Sequence, residues 1–235
     1  MKSGGDVYTR DYFAQQREQS RRSAEVVVPL VLELAAPRSV VDVGCGTGTW
    51  LAVFLEHGIS DVFGVDGDFV DERELEIPRG RFLAHDLRRP LELARRFDLV
   101  VSLEVGEHLP PEHAETFVAS LTTLGPIVLF SAAIPGQGGT AHVNEQWPSF
   151  WAQLFAARGF VHVDCLRRRL WHDESVAPWY AQNALLYVAS DQLHRWEALA
   201  QLHDPREPAP LALVHPTRYL EWVEWARRHA ADPAT

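Results

Sequence analysis

Residues 40–50 read VVDVGCGTGTW, a β-branched run that ends near an aspartate and is followed by three glycines at alternate positions. This pattern predicts a buried strand that turns sharply into a helix. Glycine is needed where a Cβ would keep a ligand away from the backbone or would forbid a left-handed turn. Free amides at the start of a helix also favour an anionic group. The stretch is therefore typical of a cofactor-binding loop, and a tight turn without a ligand is the alternative.

On both sides of this stretch, short β-branched runs alternate with helical segments. We predict strands at residues 40–43, 62–65, 82–85, 97–102, 127–131, 160–165 and 184–189, with helices between them at residues 50–57, 111–121 and 148–158. Such alternation indicates an α/β fold with a mostly parallel sheet. Gly58, Gly125 and Gly159 follow the predicted helices and suit a left-handed conformation there.

The two ends of the chain are predicted to be helical. Residues 1–38 contain Tyr12 and a helical segment that stops before Pro37, and we expect them to lie over the cofactor as a lid. Residues 191–235 contain two further helical segments with a proline-rich segment between them. These last helices either cap the fold or form the contact of a homodimer, and the sequence leaves both open.

Composition excludes several classes of protein. The net charge is −10 and the sequence pI is about 5.5, which argues against a nucleic-acid partner because phosphate contacts need clustered Lys and Arg. The two cysteines, Cys45 and Cys165, have no disulfide-framework or zinc-ligand spacing, which favours a reducing cytoplasm. We expect no signal peptide and no membrane span, because no apolar run has the required length.

Residues 42–48, DVGCGTG, resemble the Asp-x-Gly-x-Gly-x-Gly motif of class I S-adenosylmethionine-dependent methyltransferases of the small-molecule type. The resemblance covers about residues 39–190. It implies a three-layer α-β-α Rossmann-like fold whose seven-stranded sheet is mostly parallel with an antiparallel last strand. A nicotinamide-dependent oxidoreductase is the alternative, but its motif expects a third glycine where Thr49 stands.

The resemblance also implies how S-adenosylmethionine is bound. Asp42 would support the methionine end, Asp66 would accept the ribose hydroxyls, and Asp86 would meet the adenine amine while Leu87 packs on the ring. Asp86 could instead cap the following turn. The implied cofactor residues are Asp42, Gly44, Cys45, Gly46, Gly48, Asp66, Gly67, Asp86, Leu87, Ser102, Leu103, Glu104 and His108.

The fourth predicted strand continues as FDLVVSLEVGEHL over residues 97–109, which resembles the strand and Glu-x-x-Glu-His segment of small-molecule methyltransferases. Ser102, Leu103 and Glu104 would then lie near the sulfonium, with Glu107 and His108 opening the next helix. The Asp-Pro-Pro-Tyr motif of nucleic-acid amino-methyltransferases does not occur here.

The loop after the fifth strand contains the residues that we expect to contact the methyl acceptor. Ligands of open α/β sheets bind at the carboxyl ends of strands, so this loop should lie over the methyl group. We predict His142 as the general base, because an imidazole pKa lies near the operating pH. His108 is the second candidate base. The predicted acceptor-binding residues are Tyr12, His142, Asn144, Gln146, Trp147 and Trp179. In the alternative, Asn144 and Glu145 only cap the following helix.

These predictions lead to a specific functional hypothesis. We expect transfer of a methyl group from S-adenosylmethionine to a hydroxyl of a small metabolite or sugar-containing natural product. N-methylation of a small molecule and cofactor binding without turnover are the alternatives. We expect no metal, because no His-Glu cluster has zinc spacing.

Overall fold

The computed structural model describes residues 10–203 and 210–230, with side chains described for residues 17–203 and 210–228. The strands are β1 Ser39–Val43, β2 Asp61–Asp66, β3 Phe82–Ala84, β4 Leu99–Leu103, β5 Ile127–Ser131, β6 Phe160–Val163 and β7 Leu185–Ala189. The α-helices are α1 Arg10–Ala35, α2 Thr49–Glu56, α3 Ala114–Leu124, α4 Pro148–Ala157, α5 Arg167–Leu170, α6 Pro178–Asn183, α7 Glu197–Leu202 and α8 Pro216–Ala230. Short 3-10 turns occur at Glu72–Glu74, Arg79–Arg81, Gly106–His108, Pro111–His113 and Leu193–Arg195.

The seven strands form one sheet in the order β3-β2-β1-β4-β5-β7-β6. Neighbours from β3 to β5 pair in parallel, whereas β7 runs antiparallel to both β5 and β6. The strand order reverses between β1 and β4. The predicted Rossmann-like methyltransferase fold with its antiparallel last strand is therefore confirmed.

Helices cover both faces of the sheet. Successive residues of a strand point to opposite faces, so each face has its own core. Val40 of β1 belongs to the core on one face, under α1, α2, α6 and α7, and the next residue, Val41, belongs to the core on the other face, under α3 and α4. On α1 the buried residues Val27, Val28 and Val31 recur at helical spacing and pack into the first core. The structure thus has the expected three layers.

Two of the three predicted left-handed glycines are confirmed and one is wrong. Gly58 and Gly159 have φ values of 89° and 79° after their helices. Gly125 instead has φ −166° and ψ 167°, which is extended backbone. Its need for glycine is steric, because a Cβ there would lie 2.8 Å from the carbonyl oxygen of Phe97.

The chain ends are helical where the structure describes them. The first helix extends over residues 10–35, and α8 lies within the expected C-terminal extension. The division into residues 1–38, 39–190 and 191–235 stays a prediction, as does the homodimer. Within the described ranges, no helix combines the length and hydropathy that crossing a bilayer requires.

Candidate active site

One cleft lies at the carboxyl ends of the parallel strands, next to the reversal of strand order between β1 and β4. It encloses about 1510 Å³. Its walls are the glycine loop (residues 44–48), the ends of β2 and β4, and the loop after β5 (residues 132–147, the β5 loop). Arg17 and Ser20 of α1 and Arg218 of α8 complete the wall. Ligands of open α/β sheets bind at this position, which makes the cleft the candidate active site.

The glycine loop presents bare backbone to the cleft. Gly44 has a φ of 89°, and a Cβ there would come within 2.3 Å of the Val105 side chain. Gly46 has a φ of 54°, but a Cβ there would meet no atom within 4 Å, because this residue faces the open cleft. The first glycine is thus required by packing, and the second leaves room for a ligand to approach the chain.

Asp66, at the end of β2, holds the glycine loop in place. Its Oδ2 accepts a hydrogen bond from the Gly46 amide and its Oδ1 accepts one from the Gly67 amide, each at 2.7 Å. Burial raises the pKa of Asp66, although the two amide bonds oppose that shift. Each carboxylate oxygen retains a further lone pair, so the residue can also accept ribose hydroxyls.

Asp42 lies beneath the glycine loop and is 2% exposed. Burial, and then the charge of Asp66, raise the pKa of Asp42 well above its ordinary value. A cationic ligand in this part of the cleft would offset the cost of a buried carboxylate, which fits the ammonium and sulfonium groups of S-adenosylmethionine. Burial also raises the pKa of the neighbouring Cys45 thiol, which makes a structural role more suitable than a nucleophilic one.

Asp86 lies at the far end of the cleft and both caps a turn and forms an ion pair. Its carboxylate accepts the Arg88 Nε at 2.8 Å and Nη2 at 2.9 Å, together with the Arg88 amide at 3.1 Å. These bonds lower the pKa of Asp86 to about 2. The side chain still lines the cleft beside Leu87, so the turn cap and a ligand contact coexist at this residue.

Glu104, directly after β4, connects three parts of the structure. It adopts a φ of 55°, and its carboxylate accepts Gln137 Nε2 at 2.7 Å and Asn183 Nδ2 at 3.2 Å. Burial raises the pKa of Glu104 against the effect of these bonds. The network joins the end of β4 to the β5 loop and to α6, and it places an acidic group in the cleft wall.

Two histidines meet between the ends of β4 and β5. The rings of His108 and His142 lie edge to face with their centroids 4.9 Å apart. Burial, and then the proximity of His142, lower the pKa of His108. Glu145 accepts a hydrogen bond from His142 Nδ1 at 2.9 Å, so Nε2 is the ring nitrogen that remains for a further partner.

Glu145 also holds the β5 loop together through hydrogen bonds to its backbone. Besides His142, it accepts the Gly136 amide at 2.7 Å and the Gly138 amide at 2.8 Å. Its burial acts to raise the pKa of this carboxyl, but the bonds from His142 and the two amides outweigh that effect and lower it. One carboxylate therefore shapes the loop and orients the imidazole.

Glu107 lies under the same histidines and is completely buried. Among the described residues, neither of its carboxylate oxygens has a hydrogen-bond partner. Burial, and then the charge of Glu104, raise the pKa of Glu107 well above its ordinary value.

Comparison with known proteins assigns the family. Residues 13–169 match the model of a family described as a methyltransferase domain, which is more than half of the chain. The chain belongs to this family. Its core is therefore that of a class I, S-adenosylmethionine-dependent methyltransferase, as the strand order and the glycine loop had indicated.

Individual relatives of the methyltransferase are distant. It is 26% identical over 166 residues to a dTDP-3-amino-3,4,6-trideoxy-alpha-D-glucopyranose N,N-dimethyltransferase from Streptomyces venezuelae, a match that covers 69% of this chain and 64% of that protein. The chain thus spans less than two thirds of that relative. The sugar N-methyltransferase KedS8 from Streptoalloteichus has a TM-score of 0.56 at 17% identity, covering 80% of this chain and 96% of its own. Magnesium protoporphyrin IX methyltransferase from Synechocystis, solved with bound S-adenosylmethionine, has a TM-score of 0.54 at 18% identity, with 79% and 87% covered.

Most of the cofactor residues predicted for the methyltransferase line the cleft. They are Asp42, Gly44, Cys45, Gly46, Asp66, Gly67, Asp86, Leu87, Leu103, Glu104 and His108. Gly48 and Ser102 are not in the cleft wall. Gly48 is the N-cap of α2, and its amide donates to the Cys45 carbonyl at 2.9 Å, whereas Ser102 is fully buried and donates to the Val43 carbonyl at 2.8 Å. Gly48 therefore supports the glycine loop, and Ser102 links β4 to β1.

The predicted acceptor residues divide in the same way. His142 and Trp179 line the cleft, but Asn144, Gln146 and Trp147 do not. Asn144 is buried, and its Oδ1 accepts Gln146 Nε2 at 3.0 Å, so the two side chains contact each other. Trp147 is the N-cap of α4, and no side-chain bond caps that helix, so Asn144 and Glu145 are not its caps. The side chain of Tyr12 lies outside the described residues.

Several cleft residues were not predicted. Phe69 is 80% exposed and covers Gly67, where a Cβ would lie 2.1 Å from its ring. Gln137 contacts Glu104, and its position among glycines in residues 136–139 was a signal that could have indicated it. Arg218 donates to the Gln137 carbonyl from α8, and no local pattern could have predicted this contact because it depends on long-range packing.

Proposed function

We propose that this chain transfers the methyl group of S-adenosylmethionine to a hydroxyl oxygen of a small, sugar-containing molecule. The observation that carries the proposal is the single cleft that joins the glycine loop to the His108 and His142 pair. Its volume of about 1510 Å³ exceeds the roughly 300–1,000 Å³ typical of a site for one small ligand. It therefore has room for a cofactor and an acceptor side by side.

The cofactor end of the cleft is defined by charge and by open backbone. In this proposal Asp66 and Asp86, which both line the cleft, accept the ribose and adenine donors, and exposed Phe69 offers an apolar surface next to Gly67. Asp42 and Glu104 give the middle of the cleft an acidic character that favours a cation. When bound there, S-adenosylmethionine supplies an electrophilic methyl group on a positively charged sulfur and leaves as S-adenosylhomocysteine.

The acceptor end combines polar and aromatic side chains. His142, held by Glu145, offers Nε2 to an acceptor hydroxyl, and Trp179 and Tyr180 also line the cleft. Methyl transfer to oxygen forms a C–O bond as the C–S bond breaks, and the hydroxyl must lose its proton. The task of these residues is to align the acceptor and to assist that loss.

A sugar acceptor is supported by the relatives, whose names include a dTDP-amino-sugar dimethyltransferase and a sugar N-methyltransferase. The same names favour an amino group as the second candidate acceptor. The two candidates differ in the atom that is methylated, and the residues around the cleft can serve either.

A panel of nucleotide-linked hexoses and amino-hexoses tests the proposal through release of S-adenosylhomocysteine and the mass of the product. Methylation of a hydroxyl, located by NMR, is the expected result. Methylation of nitrogen alone would replace the first candidate with the second. Binding of S-adenosylmethionine without product from any acceptor would instead support a non-catalytic binding protein.

A further inference from the structure

Glu107, His108 and His142 come together in the cleft although they arise from different parts of the chain. Each offers one ligand atom, and these atoms all lie within 4.8 Å of one another. The first two belong to the 3-10 turn after β4, and the third belongs to the β5 loop. The parallel pairing of β4 with β5 brings the two segments side by side.

The buried carboxylate of Glu107 is a second observation that supports a bound cation at this place. It is completely buried, and no described residue provides a hydrogen bond to either oxygen. A carboxylate in such surroundings is costly unless a proton or a cation neutralises its charge, and a metal ion would supply that cation. Here it lines the same cleft as both imidazoles.

The surroundings also hold the three side chains in position. The amides of Val143 and Asn144 donate to the Glu107 carbonyl at 2.9 and 3.0 Å, which ties the β5 loop to the turn. Glu145 accepts the Nδ1 proton of His142 and so leaves Nε2 as the coordinating nitrogen. A carboxylate behind a ligand histidine is the usual second shell of a metal site.

We propose that Glu107, His108 and His142 bind a divalent first-row transition metal ion whose remaining coordination positions face the cleft. Two imidazoles and one carboxylate suit such ions, whereas Mg²⁺ and Ca²⁺ prefer sites built from oxygen alone. The expectation of no metal was based on ligand spacing along the sequence, whereas these three residues meet only through the pairing of β4 with β5.

The ion would also give the acceptor end a specific chemistry, and this step rests on the proposed O-methylation. An acceptor hydroxyl that coordinates the ion loses its proton to solvent more readily, and its oxygen is held in a fixed place. The C–O bond then forms as the C–S bond breaks, with the electron pair remaining on sulfur. His142 acts in this scheme as a ligand rather than as the general base.

Titration of the metal-free full-length protein with CoCl₂, followed by visible absorption and by calorimetry, tests the site without any acceptor. We expect one Co²⁺ per chain, and we expect excess MgCl₂ not to displace it. Glu107→Gln, His108→Asn and His142→Asn should each weaken Co²⁺ binding at least roughly tenfold, since even outer-shell changes cost about 10–100-fold. His113→Asn, a nearby histidine outside the cluster, is the matched control and should bind Co²⁺ as the unmodified chain does.

A measurement on the unmodified chain guards against variants that fail to fold. Bound Co²⁺ should produce paramagnetically shifted imidazole N–H signals in the proton NMR spectrum. Absence of saturable Co²⁺ binding, absence of shifted imidazole signals, or equal affinity in folded ligand variants would overturn the proposed site. If the metal site is wrong, S-adenosylhomocysteine should still bind. If the proposed methyl transfer is wrong, Co²⁺ should still bind.

Discussion

The glycine loop and the β5 loop face each other across one cleft but are held in different ways. The glycine loop is held by β2 and by the segment that follows it. Its Gly46 amide donates to Asp66, and its Thr47 hydroxyl donates to Glu76. The β5 loop is held by side chains from three directions, namely Glu145 within it, Glu104 after β4, and Arg218 and Trp222 of α8. The cofactor side is therefore held by one neighbouring strand and the segment after it, whereas the acceptor side is held by several elements that are distant in sequence.

This difference has a functional consequence. A loop held by its glycines and by one neighbouring strand keeps its shape when more distant parts of the molecule change, which suits a cofactor that does not change. A loop held by side chains can be reshaped by substitutions elsewhere, which suits an acceptor that differs between enzymes. Four predictions test this contrast, beginning with the largest expected effect.

Gly44→Ala should be the most damaging change. It combines a left-handed backbone with a Cβ only 2.3 Å from Val105, so we expect a loss of about 3 kcal/mol in the free energy of unfolding, together with loss of cofactor binding. Gly46→Ala is the matched control, because its Cβ would meet no atom within 4 Å. It should cost only about 1 kcal/mol and still abolish binding by placing a methyl group in the cleft. Urea unfolding and S-adenosylhomocysteine titration of both variants measure this; equal unfolding costs would contradict the packing argument.

Glu145→Gln should act on the other side of the cleft. The amide keeps the size of the side chain but loses the charge that holds His142 and two loop amides. We expect turnover of the acceptor to fall roughly tenfold to a hundredfold, because small misplacements of acceptor-aligning groups are costly. The affinity for S-adenosylhomocysteine should stay unchanged. A matched fall in cofactor affinity would show that the two loops are not independent.

Asp42→Asn should change the pH dependence of stability. Burial raises the pKa of Asp42, so the folded state binds a proton more tightly than the unfolded state. The free energy of unfolding therefore falls as pH rises from about 3.9, the unfolded value, toward the raised folded value. The variant lacks this loss and should have a Tm a few degrees higher at neutral pH, with weaker cofactor binding. Asp68→Asn, at an exposed aspartate, is the control, and identical pH profiles for both variants would argue against a buried charge at Asp42.

Trp222→Ala should have the smallest effect. The indole donates to the Gly136 carbonyl from α8, so its removal loosens the β5 loop from outside. We expect the KM for the acceptor to rise several-fold while cofactor affinity and fold are retained. Leu220→Ala, which removes a 62% exposed side chain from the same helix, should leave the KM unchanged. An unchanged KM in both variants would mean that α8 does not shape the acceptor end.

The cofactor side of the cleft could be predicted from the sequence better than the acceptor side. Every strand and the long helices could be located within a few residues, because β-branched runs and glycine punctuation are local signals. The antiparallel direction of the last strand came from the family resemblance. Most of the cofactor wall could also be predicted, since its residues adjoin strand ends.

The acceptor side was predicted less well, for physical reasons. A loop without a repeating period does not determine which side chains face the cleft. Asn144 and Gln146 were therefore predicted to line it, although they bond each other outside its wall. Arg218 reaches the site only because α8 packs against the β5 loop. Glu107 and His142 meet only because β4 and β5 are neighbours.

Calorimetric titration with S-adenosylhomocysteine, performed on the unmodified chain and on Asp66→Ala, tests the central claim most directly. We predict saturable binding at one site per chain and a loss of at least about tenfold in affinity in the variant, because Asp66 both holds the Gly46 amide and faces the ligand. The variant should stay folded, as judged by its thermal transition. Absence of binding by the unmodified chain, or equal affinity in folded Asp66→Ala, would contradict a cofactor site at the glycine loop.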